Sequence, residues 1–91
     1  MSGKKWNVEL SKSSLKYLER LGKNSIARIM DSLEELERGE NPLVHREFRP
    51  LEGKLKGFFR LRVGDFRLIF ELDKQNKRIG ILAIVPRGNA Y

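Results

Sequence analysis

Apolar and polar residues alternate with a period of two through residues 57–72, GFFRLRVGDFRLIFEL. That period is the signature of strands with one face buried, and it breaks once, at Gly64-Asp65. Glycine at the first central position of a two-residue loop predicts a hairpin closed by a type II′ turn. Counting outward from that turn places Val63 opposite Phe66, Leu61 opposite Leu68 and Phe59 opposite Phe70, so six apolar side chains share one face. The other face then pairs Arg62 with Arg67, Arg60 with Ile69 and Phe58 with Glu71.

The same patterning predicts the remaining elements. Trp6, Val8 and Leu10 alternate with Asn7 and Glu9, which gives a short first strand suited to a sheet edge. Ser11 or Ser13 can cap a helix whose apolar side is Leu15, Leu18 and Leu21 with Tyr17, and Gly22 suits a left-handed residue ending it. Asn24 or Ser25 can cap a second helix, with Ile26, Ile29, Met30, Leu33 and Leu36 inward, acidic residues outward and Gly39 at its end. Residues 40–57 read as irregular, broken by Pro42 and Pro50 and loosened by Gly53 and Gly57. After the hairpin, residues 73–77 form a polar turn, and Arg78 to Val85 is a strongly apolar strand stopped by Pro86. The order β-α-α-β-β-β predicts an α+β fold over residues 1–91 as one domain. A helical hairpin covers one face of a mostly antiparallel four-stranded sheet, and the arginine face lies open opposite.

Like charges directly opposite on paired strands are unfavourable by roughly 0.2–1 kcal/mol. Two readings account for Arg60, Arg62 and Arg67 together: a solvated basic face with splayed side chains, or a seat for an external anion. Arginine suits phosphate because its planar fork donates two parallel hydrogen bonds. Charge distribution favours the second reading. The 91 residues carry a net charge of +7. Residues 1–45 hold eight Lys/Arg against seven Asp/Glu, whereas residues 46–91 hold eleven against five. An excess confined to the half that carries the hairpin points to a polyanionic partner.

Several chemistries find no residues here. Cysteine is absent, so no disulfide framework, thiolate metal site or thiol nucleophile is expected, and a reducing cytoplasmic setting fits. No apolar run approaches a membrane span, and MSGKKWNVEL lacks the core of a signal peptide. There is no phosphate-binding glycine loop and no HExxH or CxxC spacing, so neither cofactor nor metal is expected. His45, the only histidine, falls in the irregular segment and reads as a solvated loop residue; Tyr17 and Trp6 read as core or edge cover. What remains is arginine, lysine and tyrosine around one sheet face. Arginine holds its proton and acts as an electrostatic stabiliser rather than a base. Lysine or tyrosine can move a proton where neighbouring positive charge lowers its pKa. These groups fit metal-free phosphodiester cleavage, in which a ribose 2′-hydroxyl is the nucleophile and the substrate is therefore RNA.

Leu51-Glu52-Gly53, the run Gly57 to Phe70 and the terminus Val85-Pro86-Arg87-Gly88-Asn89-Ala90-Tyr91 resemble the RelE/ParE toxin superfamily, and most of all its RelE-type messenger-RNA interferases. The resemblance implies ribosome-dependent cleavage of messenger RNA in the A site, with a cognate antitoxin that wraps the toxin in a hetero-oligomer. It assigns catalytic roles to Arg60, Arg62, Arg67 and Arg87, and a base-orienting role to Tyr91. Lys54 and Lys56, just before the hairpin, are expected to touch RNA. Well-known members carry lysines where this chain has Arg60 and Arg62, so proton transfer here falls to Lys54, Lys56, Tyr91 or the terminal carboxylate. Members that follow ParE instead inhibit DNA gyrase by protein contact; a third class binds antitoxin or RNA without cleaving.

Overall fold

The computed structural model describes residues 5–39 and 48–86. Pro42, His45, Arg87 and Tyr91 lie outside the described residues. In chain order the elements are β1 (Asn7–Leu10), α1 (Lys12–Glu19), α2 (Lys23–Arg38), β2 (Phe48–Pro50), a 3-10 turn (Gly53–Leu55), β3 (Phe59–Val63), β4 (Phe66–Asp73) and β5 (Arg78–Pro86).

Among the described residues the sheet has five strands in the order β1-β5-β4-β3-β2, not the four expected. The additional one, β2, lies in the stretch read as irregular. Its proline hid it: proline cannot donate to a ladder, but an edge strand leaves one row of N–H groups unneeded. Pro50 sits at such an edge, paired with Phe59. Only β1 runs parallel to its neighbour, β5; the other pairings are antiparallel. The β3–β4 register is the one counted from the sequence, from Val63↔Phe66 to Phe59↔Phe70. Gly64 has φ +56° and Asp65 does not share a positive φ, as a type II′ turn requires.

Both helices seat on the face that carries Leu61, Val63, Leu68, Phe70, Ile79, Ile81 and Ile84, all buried. α2 contributes Ile29, Leu33 and Leu36 and α1 contributes Leu18 to that core. Phe48 of β2 stacks on Phe59 at 5.1 Å and meets Phe70 at 5.5 Å, so the short edge strand is anchored by one aromatic. Two residues expected inward are not: Leu15 is 47% exposed and Met30 44%. Met30 still borders a shallow cleft with Val8 and Leu10 of the edge strand β1, where the sheet ends and solvent begins.

Helix boundaries also shift from expectation. Ser11 caps α1, its hydroxyl accepting from the Ser14 N–H at 3.2 Å. Gly22 is not left-handed: at φ −70°, ψ 161° it is the extended residue that starts α2, ahead of Asn24 and Ser25. α1 has already closed at Arg20, where Arg20 and Leu21 N–H groups turn back onto Tyr17 and Leu18 carbonyls at 3.1 Å. The outer edge of β1 is capped by α2. The Glu37 carbonyl accepts from Lys5 and Trp6 N–H groups at 2.6 and 2.9 Å, and its carboxylate accepts from Val8 N–H at 3.2 Å. An edge closed in this way offers less to a passing strand.

Candidate nucleic-acid interface

Among the described residues no helix crosses the second face of the sheet, and strand alternation decides what stands on it. β3 contributes Arg60 and Arg62, and β4 contributes Arg67, Ile69 and Glu71. β2 adds a residue that the sequence reading missed, Arg49, which lies directly opposite Arg60. Four arginines thus occupy adjoining positions on three neighbouring strands. The signal for Arg49 was present as a Phe-Arg alternation three residues long, too short to register beside a proline.

Arg62 and Arg67 face each other across the ladder next to the Gly64-Asp65 turn. Arg49 and Arg62 are exposed, and Arg60 and Arg67 are half-buried. Ile69, flanked in register by Arg60 and Ala83, is only 6% exposed although it belongs to this face. That is the burial expected where aliphatic arginine stems lie over an apolar floor while their charged heads reach outward. The Nε of Arg67 is itself buried and has no hydrogen-bond partner among the described residues. A buried donor on a charged group left unpaired costs about 1–3 kcal/mol. An anion on this face becomes its acceptor only once the guanidinium swings outward, since the atom is shielded from solvent as the side chain stands.

Glu71, the one carboxylate that β4 places on this face between Arg67 and the strand's last residue, turns toward β5. Glu71 is paired with Gly80 of β5, and a Cβ on Gly80 would come within 3.2 Å of Glu71 Cγ and 3.3 Å of its Oε1. Glycine lets the Glu71 side chain lie over β5, where it lines a corner with Glu9, Asp73 and Arg78. Arg78 answers Glu9 at 3.5 Å. Asp73 accepts from the Asn76 side chain at 2.8 Å and from its backbone N–H at 3.2 Å, and these bonds hold its carboxyl below the usual aspartate pKa. The open face is therefore divided: arginines over β2, β3 and the start of β4, carboxylates at the far corner.

Lys54 and Lys56 are exposed on the connection between β2 and β3, Lys54 within the 3-10 turn and Lys56 at its end. Arg60, Arg62 and Arg67 share one face in the register counted from the sequence, and Lys54 and Lys56 sit on the connection that follows the β2 end of that face. Arg87 and Tyr91, beyond β5, are outside the described residues. Among the described residues no helix is long and apolar enough to cross a membrane.

A small α+β domain with helices on one sheet face and arginines on the other defines a class, and the comparisons name it. Residues 8–91 match the ParE toxin family, described as the ParE toxin of the type II toxin–antitoxin system parDE. The chain belongs to this family, within the RelE/ParE superfamily. It superposes with TM-score 0.78 on a chain of the toxin–antitoxin complex RelBE2 from Mycobacterium tuberculosis, at 26% identity over 92% of this chain and 93% of that one. The archaeal RelE–RelB complex from Pyrococcus horikoshii gives TM-score 0.77 and 32% identity over 93% and 98%. A YoeB/ParE toxin from Agrobacterium tumefaciens, at 17% identity and TM-score 0.73 over 89% and 98%, shares the fold. No curated protein matches the chain in sequence.

Proposed function

We propose that this chain is the toxin of a toxin–antitoxin module and cleaves messenger RNA in the ribosomal A site without a metal. The observation that carries the reading is the paired Arg62 and Arg67 on the open sheet face, with Arg67 Nε buried and lacking a partner among the described residues. In the reaction a ribose 2′-hydroxyl attacks the adjacent phosphorus and the 5′-oxygen of the next nucleotide departs. The products are a 2′,3′-cyclic phosphate and a 5′-hydroxyl. Arg60, Arg62 and Arg67 meet the charge that builds on the phosphoryl oxygens; fixed donors aimed at developing charge are worth more in the transition state than in the ground state. Arg87 joins them and Tyr91 orients the base. Lys54, Lys56 or Tyr91 moves the proton, since arginine does not release one. The ribosome supplies substrate geometry, which suits a protein whose own site is a shallow face. A cognate antitoxin covers that face in a hetero-oligomer in the cytoplasm; the Pyrococcus RelE relative is itself seen with its RelB.

The ParE family match favours a second reading, inhibition of DNA gyrase by protein contact with no cleavage. The two separate in a reconstituted translation system with messenger-RNA ends read by primer extension. Codon-positioned cuts that fall by about 10²–10³ in Arg67→Ala, the scale of losing one transition-state donor, and likewise in Arg87→Ala, support RNA cleavage. Intact message beside gyrase-dependent DNA damage would replace it with the second reading.

A further inference from the structure

Cations on the open face follow one direction. Arg62 and Arg67 stand beside the Gly64-Asp65 turn. Two residues further along, about 6.5–7 Å in a strand, stand Arg60 and its β2 partner Arg49. One residue beyond that pair, at Pro50↔Phe59, β2 and β3 give way to the connection that carries Lys54 and Lys56. Across the strands the sign changes instead. β4 reads Arg67, Ile69, Glu71 along this face, and Glu71 joins Glu9 and Asp73 at the far corner. A polyanion laid across the sheet would run into the carboxylates of Glu71, Glu9 and Asp73, whereas one laid along β3 meets two pairs of arginines and then a connection in which Lys54 and Lys56 outnumber Glu52.

We infer that single-stranded RNA lies along β3, and that Arg49, with Lys56 beyond it, forms a second phosphate subsite next to the one at Arg62 and Arg67. This rests on the RNA-cleavage reading above. Nothing in the packing among the described residues asks for a cation at position 49. The residue is exposed on a three-residue edge strand, faces another arginine, and has no ion pair among the described residues. Its chemistry suits a phosphate flanking the cleaved one, held by a bidentate fork. Arg49 acts there by holding the strand in register, so it governs binding more than the chemical step.

The test is binding of a short 2′-deoxy-blocked single-stranded RNA to the full chain by fluorescence anisotropy across a salt series. Each neutralised phosphate on a single strand contributes about 0.7 to the slope of log K against log salt. Arg49→Gln should lower that slope by about 0.7 and weaken binding about tenfold, the loss of one charge-assisted contact. Lys16→Gln removes the same charge from the outer side of α1 and should leave the slope unchanged. Arg49→Lys should restore the slope but not the full affinity, because a point charge lacks the fork. In the translation assay Arg49→Gln should raise KM more than it lowers kcat. An unchanged slope in Arg49→Gln, an equal drop in Lys16→Gln, a loss confined to kcat, or no RNA binding by the wild-type chain would each overturn the track. If Arg67→Ala abolishes cleavage while Arg49→Gln changes nothing, the track fails and the cleavage reading stands. If RNA binds with an Arg49-dependent slope but no message is cut, the reverse holds.

Discussion

Arg67 shows the conflict between stability and function within one side chain. It faces Arg62 across the ladder, and its Nε is buried with no partner among the described residues. A like-charge cross-strand pair is unfavourable by roughly 0.2–1 kcal/mol, and a buried unpaired donor adds about 1–3 kcal/mol. Its aliphatic stem, in contrast, lies on the sheet and contributes packing. Arg67→Met keeps the stem and removes both unfavourable terms. Urea unfolding should show this variant more stable than wild type by about 1 kcal/mol, or about 4–8 °C in Tm for a chain of this size, while toxicity is lost. A destabilised Arg67→Met would mean that the guanidinium is satisfied within the fold, and the anion site would lose its main support. Sites that cost stability in this way are expected where a ligand completes them.

At the scale of elements, the junction of α1 with β5 is the part no pattern announced. Between Ile69 and Phe70 the β4–β5 register slips by one residue, and Leu82 is the extra residue on β5. A bulge leaves backbone groups without ladder partners, and the start of α1 supplies them. Ser11 Oγ lies 3.0 Å from the Leu82 carbonyl oxygen and 2.9 Å from Ser14 Oγ. The buried Ser14 hydroxyl donates to the Ile81 carbonyl at 3.3 Å, and Ser11 N–H donates to the same carbonyl at 3.0 Å. Ser11→Ala removes both the helix cap and the bulge contact, so it should cost about 1–2 kcal/mol. The exposed Ser13→Ala, whose hydroxyl is 3.4 Å from Leu82 O, should stay within about 0.5 kcal/mol. Ser11→Ala and Ser14→Ala should be non-additive by at least about 0.5 kcal/mol in a double-mutant cycle; additive losses would show that the serines act separately. The sequence made the β3–β4 hairpin legible to the residue because period, turn chemistry and register all reinforce one another there. It made Ser11 a candidate cap for a local reason. It could not show that the same serine closes a bulge seventy residues later in the chain, because that partnership exists only after the sheet has formed. The same holds for β2: Phe48 earns its place by stacking on Phe59 and Phe70, contacts invisible in a three-residue pattern. Of the site, the hairpin arginines could be read off alternation, whereas Arg49 required β2, and the turning away of Glu71 required its glycine partner on β5.

Across the whole molecule, charge is sorted by face rather than merely in excess. The net +7 includes an outward row on and after α1, Lys12, Lys16, Arg20 and Lys23, all exposed. α2 partly answers it with Asp31, Glu34 and Glu35, also exposed. On the open sheet Glu71, the carboxylate that shares this face of β4, lies over β5 instead of beside Arg62 and Arg67. Long-range repulsion from a net charge of this size opposes the folded state, and the opposition is strongest where like charges are held on adjoining strands. A polyanion bound to the native open face should therefore act as a stabilising ligand by mass action. At one hundred times its Kd, a short single-stranded RNA adds about 2.7 kcal/mol to stability, about 10–20 °C in Tm. Near 1 M salt the screening length falls to about 3 Å, and the increment should disappear. The double variant Arg62→Gln/Arg67→Gln should lose most of it at low salt, even if its own Tm without ligand is higher. Lys16→Gln/Lys23→Gln, with the same change in net charge on the helical side, should keep it. Equal loss in the two double variants would mean that polyanions respond to total charge, and the open face would then have no privileged role.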